Sequence, residues 1–250
     1  MNGSQLVRAF GKLTIALVPG CLILAGWFVP MGAQPDPAWK VSLQFPPAPN
    51  RGAPASTAGG GKRGVSCIPK NQLPLTSLVP INQVGVTTAL NPTLFWYVPR
   101  TTAKTAELLV VDDQANELYR QEFNLPGGAG ILKLNLPETV GLKAEKTYNW
   151  RFSLVCDPED RGGNESVKGA FQYVPLSADL QRSLANTKEP LKQAELYAQA
   201  RIWHETLAVV AELRDEQPQQ WEELLRSVGL RAIAKEPFLD CCTVQKSLKP

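Results

Sequence analysis

A strict two-residue alternation runs over Thr147–Cys156. Tyr148, Trp150, Phe152, Leu154 and Cys156 fall on one side of an extended segment. Thr147, Asn149, Arg151, Ser153 and Val155 fall on the other. Such alternation predicts one buried and one solvated face, with Cys156 turned to the core beside Trp150. Short extended segments recur through residues 67–175: Leu75–Val79, Val84–Leu90, Thr93–Val98, Glu107–Val111, Glu117–Phe123, Ile131–Leu136 and Val167–Val174. Turn residues punctuate them at Asn91-Pro92, Pro99, Asp112–Asn116, Pro126-Gly127-Gly128 and Asp157–Asn164, and Asp112–Asn116 reads as a hairpin connection. About six to eight strands in such a length predict an immunoglobulin-like sandwich, with an open barrel as the alternative.

Thr93–Val98 breaks the one-sided rule. Phe95 and Tyr97 share one face, and Leu94, Trp96 and Val98 the other, so both faces are apolar. The strand is either central or bears an exposed patch. On the second option Phe95, Trp96 and Tyr97 are candidate binding-surface aromatics.

From residue 176 to 240 the period becomes helical. Ser177 is placed to cap a first short helix, and Pro190 sits where a first-turn proline is tolerated. Leu191–Glu216 holds no Gly or Pro, and Leu196, Ala200, Trp203, Leu207 and Val210 form one apolar stripe. Pro218 opens a second helix with Trp221, Leu224, Leu225 and Val228 on its face, and Gly229 stops it. Two such helices resemble one tetratricopeptide-like hairpin, which cannot bury its own face alone. The expected fold class is therefore α+β: an immunoglobulin-like antiparallel β-sandwich followed by a C-terminal helical hairpin packed on it.

The N-terminus has a different character. Arg8 and Lys12 precede an uncharged, largely apolar run over Leu13–Val29, and small residues follow at Gly32 and Ala33. The run is shorter than the roughly 20 residues of a membrane-spanning helix. Residues 1–33 read as a secretory signal peptide cut after Ala33, against an uncleaved anchor as the alternative. Residues 34–66 are Pro-rich and then Gly-, Ala- and Ser-rich, a linker composition. The expected organisation is signal peptide 1–33, linker 34–66, sandwich 67–175, helical appendage 176–240 and tail 241–250.

Removing the signal takes away two of 26 basic residues and none of the 23 acidic ones, leaving a nearly neutral chain. That charge does not suit nucleic acid, which needs a concentrated basic face. Four cysteines remain: Cys67, Cys156, Cys241 and Cys242. Outside the cytoplasm an even count favours disulfides, and the chain's one histidine argues against a Cys/His zinc site. Three pairings are open.

The blocks Arg51–Pro54, Arg63–Cys67, Leu75–Pro80, Asn91–Pro99, Tyr148–Asp157, Ile202–Leu207 and Trp221–Leu225 follow in order. Together they resemble the exported, mainly cyanobacterial family catalogued as domain of unknown function 928, over about residues 50–240. The resemblance implies export and a shared fold, and no established activity. It singles out Cys67 and Cys156 as a pair, which would tie the start of the sandwich to its penultimate strand.

Other candidate chemistry is sparse. A histidine-based mechanism would have to use His204, which lies beside the apolar stripe and reads as a packing residue at a helix–sheet seam. The loop Asp157–Glu165 is rich in oxygen ligands and supplies calcium candidates Asp157, Glu159 and Asp160. Its spacing matches no helix–loop–helix calcium loop, and Arg161 sits within it. Gly59-Gly60-Gly61-Lys62 lacks the first glycine and the Ser or Thr of a phosphate-binding loop. No catalytic residue, cofactor site or firm metal site is assigned. The expected function is an exported, non-enzymatic interaction module whose partner is another envelope or secreted protein. A carbohydrate- or calcium-dependent cell-surface module is the alternative, and a hydrolase comes third. Neither nucleic acid nor a lasting membrane span is expected.

Overall fold

The alternation at residues 147–156 becomes one long strand of a two-sheet sandwich. The computed structural model describes residues 43–47, 66–80 and 84–240. The signal peptide, most of the linker, and the tail with Cys241 and Cys242 lie outside the described residues.

Among the described residues eight strands run in chain order: β1 (Thr76–Ser77), β2 (Gly85–Thr87), β3 (Thr93–Val98), β4 (Thr105–Val111), β5 (Glu117–Asn124), β6 (Gly130–Asn135), β7 (Thr147–Val155) and β8 (Glu165–Tyr173). One sheet has the order β1-β3-β6 and the other β2-β8-β7-β4-β5. This is the immunoglobulin-like division, with β1, β3 and β6 in one sheet and the β4–β5 hairpin beside β7 and β8 in the other. The expected all-antiparallel pairing holds except at β2, which runs parallel to β8. The chain thus leaves one sheet at Ser77 and joins the other at Gly85.

Four helices follow among the described residues: α1 (Ala178–Ala185), α2 (Pro190–Gln199), α3 (Trp203–Glu212) and α4 (Pro218–Ser227). The Ser177 hydroxyl caps α1 by accepting from the Leu180 N–H at 3.3 Å. The helix expected over Leu191–Glu216 is two helices. The break falls at Arg201, whose φ is +62°, and the Ile202 N–H closes back on the Tyr197 carbonyl at 2.9 Å. That is a helix-ending turn made without its usual glycine. Gly229, at φ +84°, ends α4 as expected, with the Leu230 N–H on the Leu225 carbonyl at 2.8 Å.

Two cores result. Between the sheets lie Leu94, Trp96, Val98, Leu108, Phe152 and Phe171. Trp96 stacks on Phe152 with centroids 4.5 Å apart and meets Trp150 edge-on at 5.6 Å. The second core joins Phe95, Tyr97 and Ile131, on the back of the three-stranded sheet, to Trp203, Leu207, Trp221 and Leu224 of the helices. The Trp203 indole N–H donates to the Leu78 carbonyl at 2.8 Å.

The linker assignment needs correction at 43–47. Leu43 and Phe45 are buried in the helical core. Their N–H groups donate to Gln220 Oε1 at 3.1 Å and Ser227 Oγ at 3.0 Å, and Phe45 meets Trp203 edge-on at 4.9 Å. Two apolar residues among prolines were enough to dock an extended strap.

The far end of the described chain closes a sheet edge. Pro237–Leu239 runs along β6, with the Ile131 N–H on the Pro237 carbonyl at 2.6 Å and the Leu239 N–H on the Ile131 carbonyl at 2.8 Å. Gly130 makes this possible, because a Cβ there would lie 2.5 Å from the Pro237 oxygen.

Candidate functional site

The structure moves every sequence-predicted aromatic inward. Phe95, Trp96 and Tyr97 are 4%, 0% and 3% exposed, so they form no open binding platform. Strand β3 is two-sidedly apolar because the other sheet covers one face and the helices cover the other. Phe95 does reach the floor of a groove of about 320 Å³, beside Thr93, Ala208 and Val209. The Lys133–Glu212 ion pair, at 2.8 Å, stands at that groove.

Cys67 and Cys156 form a disulfide with Cα atoms 5.3 Å apart, closing a separation of 89 residues. The Cys67 carbonyl also accepts from the Thr102 N–H and the Thr101 hydroxyl, at 2.9 and 3.0 Å. The bridge therefore anchors the segment before β1 to the end of β7.

The calcium candidates serve the turn itself. Asp157 Oδ1 accepts from the Glu159 N–H and Asp160 Oδ1 from the Gly162 N–H, each at 2.9 Å. Among the described residues no group of three His, Cys, Asp or Glu side chains is placed to hold a metal ion. Arg161 leaves this turn to reach Glu122 Oε2 at 3.3 Å and Glu107 Oε2 at 4.0 Å.

His204 occupies the seam between α3 and the sheets. It is 4% exposed, and its Nδ1 lies 3.3 Å from the Thr93 carbonyl. As that carbonyl can only accept, Nδ1 carries the proton and Nε2 is left as a lone-pair acceptor. Nε2 has no hydrogen-bond partner and faces Gly85, where a Cβ would come within 2.4 Å of it. Burial pushes the imidazole down to about 4, with the Thr93 carbonyl opposing. The next residue, Glu205, turns to the end of β2. Its Oε1 accepts from the Thr87 hydroxyl at 2.6 Å and from the Thr88 and Ala89 N–H groups at 3.0 Å each. Burial raises the Glu205 carboxyl despite these bonds. His204 thus packs against Gly85 of β2, and Glu205 ties down the residues that follow that strand.

The open region is the outer face of the five-stranded sheet. Across it the registers align Lys168 of β8 with Arg151 of β7, then Leu109 of β4 and Arg120 of β5. The next row holds Ser166, Ser153, Glu107 and Glu122. Lys168 and Asn149 are exposed, and Arg151, Leu109 and Ser166 half-buried. Toward Cys156 the expected solvated face is covered instead: Ser153 and Val155 are buried.

Two like-charged pairs sit directly opposite one another on this face. Glu107 faces Glu122 and is relieved by Arg120 Nη1, at 3.0 Å, and by Arg161. Arg151 faces Lys168, and among the described residues neither side chain has an ion pair or hydrogen bond. Arg151 was visible as a polar-face residue of the alternation. Its position beside Lys168 depends on strand register, which no local pattern carries.

The family model described as Domain of Unknown Function (DUF928) matches residues 58–238. The chain belongs to that family. No curated protein matches it. Among solved structures it is similar to the fn3 domain of human collagen alpha-1(XX) chain, at 14% identity and a TM-score of 0.26. That similarity covers 47% of this chain and 93% of the other. The DUF928 match spans the sandwich, the helical layer and the segment that closes β6.

Proposed function

We propose that this DUF928 protein is an exported, non-enzymatic module that binds another envelope or secreted protein. The observation that carries this reading is the open outer face of the five-stranded sheet. The free edge of β6 is closed by Pro237–Leu239, and Glu205 holds the Thr88 and Ala89 N–H groups just past β2. Strand β5 is guarded against edge pairing by Glu117, Arg120 and Glu122. The exposed Asn149 and Lys168 offer that outer face to a partner. Export is supported by the N-terminal pattern of residues 1–33 and by the Cys67–Cys156 bridge, which suits an oxidising compartment.

The test is crosslinking in the producing cell. A photoreactive residue at Asn149, on the open face, should give a discrete protein adduct, and one at Glu222, on α4, should not. Equal labelling at both positions, or none at Asn149, overturns the proposal.

A further inference from the structure

We infer that the partner supplies an acidic side chain that seats between Arg151 and Lys168. This rests on the binding-module reading and names the partner's chemistry at the same face.

The reasoning starts from strand geometry. Directly opposed residues on neighbouring strands place their Cβ atoms about 5 Å apart, and like charges there repel. A sheet face tolerates such a pair when counter-ions stand beside it, and this face shows the arrangement at Glu107 and Glu122. Arg120 and Arg161 lie against those carboxylates. Arg151 and Lys168 form the matching cationic pair one row away, and the chain's described residues supply no carboxylate to them. Their flanking positions are short: Ser153 and Ser166 on one side, Asn149 and Ala170 on the other. The two long cationic side chains therefore stand above a floor of small groups, and a carboxylate fits between them with an oxygen toward each. The guanidinium offers a planar fork and the ammonium a mobile donor, a combination suited to one carboxylate approached from outside.

The rest of the face separates protein from polyanion. Its β4–β5 end carries Glu107, Glu117 and Glu122 against Arg120 and Arg161. A continuous anionic surface, such as a lipid headgroup layer or a uronate polymer, would meet those acids as well as the cations. A protein segment places one acidic group over Arg151 and Lys168 and keeps negative charge away from β5. The aromatic rings that would stack on sugars, Trp96, Trp150 and Phe152, are core. The occupant is therefore an acidic segment of a protein, with Leu109 available for apolar contact beside the charge.

The experiment uses the full chain bearing the photoreactive residue at Asn149. Charge reversal at both positions, Arg151→Glu with Lys168→Glu, should cut the protein adduct at least about tenfold. Lys168→Arg should retain it. Lys188→Glu, an exposed position between α1 and α2, changes charge equally and should leave the adduct unchanged. Mass spectrometry of the adduct should find Asp or Glu at the crosslinked segment, and reversing that residue to Lys should restore the adduct in the doubly reversed chain. Thermal melting of each variant verifies folding. An adduct that survives double reversal overturns the acidic-segment inference and leaves the binding module standing. A lipid or polysaccharide adduct overturns the inference in favour of a polyanion, and an absent adduct in the unmodified face removes both proposals.

Discussion

The two sheets of this protein differ in how many of their faces are spoken for. The three-stranded sheet is a middle layer, with Trp96 and Leu94 in the sandwich core and Phe95 and Tyr97 in the helical core. The five-stranded sheet is an outer layer, with Trp150 and Phe152 inward and Asn149, Arg151 and Lys168 outward. The contrast shows that an aromatic-rich strand marks depth in the layering rather than a binding surface. The contact proposed for a partner lies on the outer face of β7 and β8, where Asn149 and Lys168 are exposed.

The covalent tie between the layers gives the largest expected effect. Cys67 precedes the three-stranded sheet and Cys156 ends the central strand of the five-stranded one. Replacing both by Ser should lower stability by roughly 4–5 kcal/mol, the chain-entropy value for a loop of this length. Urea unfolding of the oxidised protein and the variant measures it. A loss under about 1 kcal/mol would mean that packing alone joins the sheets.

Next comes the covering layer. Trp203→Ala removes a buried indole that packs on Phe45 and donates to Leu78. It should cost about 3–5 kcal/mol. Asn149→Ala on the open face should stay within about 0.5 kcal/mol. Comparable losses at the two positions would erase the distinction between a covered and an open sheet.

The seam between the layers is sensitive to acid in a predictable direction. His204 titrates near 4 in the folded chain and near 6.5 when unfolded, so the unfolded state binds the proton first. Its stabilising share is complete above pH 6.5 and is lost as pH falls toward 4, a change of about 3 kcal/mol. Glu205 runs the other way, since its raised carboxyl takes up a proton more readily in the folded state and gains stability on acidification. Subtracting the pH–stability curve of His204→Gln from that of the parent should isolate the histidine's loss. A flat difference between pH 7 and 4 would place His204 in contact with solvent.

These contrasts also mark what the amino-acid sequence discloses. The eight strands of the described residues are legible to within a few residues, since β-branched and aromatic runs alternate with turn residues. The sandwich-plus-helices fold follows from the switch of period near residue 176. The helix break at Arg201 was hidden, because a left-handed Arg carries no glycine signal. Phe45 was hidden too, as two apolar residues in a proline-rich stretch show no period. Burial of Phe95 and Tyr97 could not be told from exposure, because the strand's pattern reports only that both faces are apolar. The proposed contact at Arg151 requires register: Lys168 lies 17 positions on and becomes its neighbour only through β7–β8 pairing.

The smallest predicted effect separates a binding site from scaffold most sharply. Lys168→Gln removes one member of an unrelieved like-charge pair from an exposed position, and Lys168→Glu turns the pair into a cross-strand attraction with Arg151. Both should raise stability, by a few tenths of a kcal/mol for Gln and up to about 1 kcal/mol for Glu at low salt. The gain should fade as salt screens the surface. A scaffold residue loses stability when replaced, whereas a residue held for a partner against its own neighbour's charge gains it. If Lys168→Glu melts below the parent at low salt, Lys168 has a stabilising contact within the chain, and the open face carries no unmet charge for a partner to satisfy.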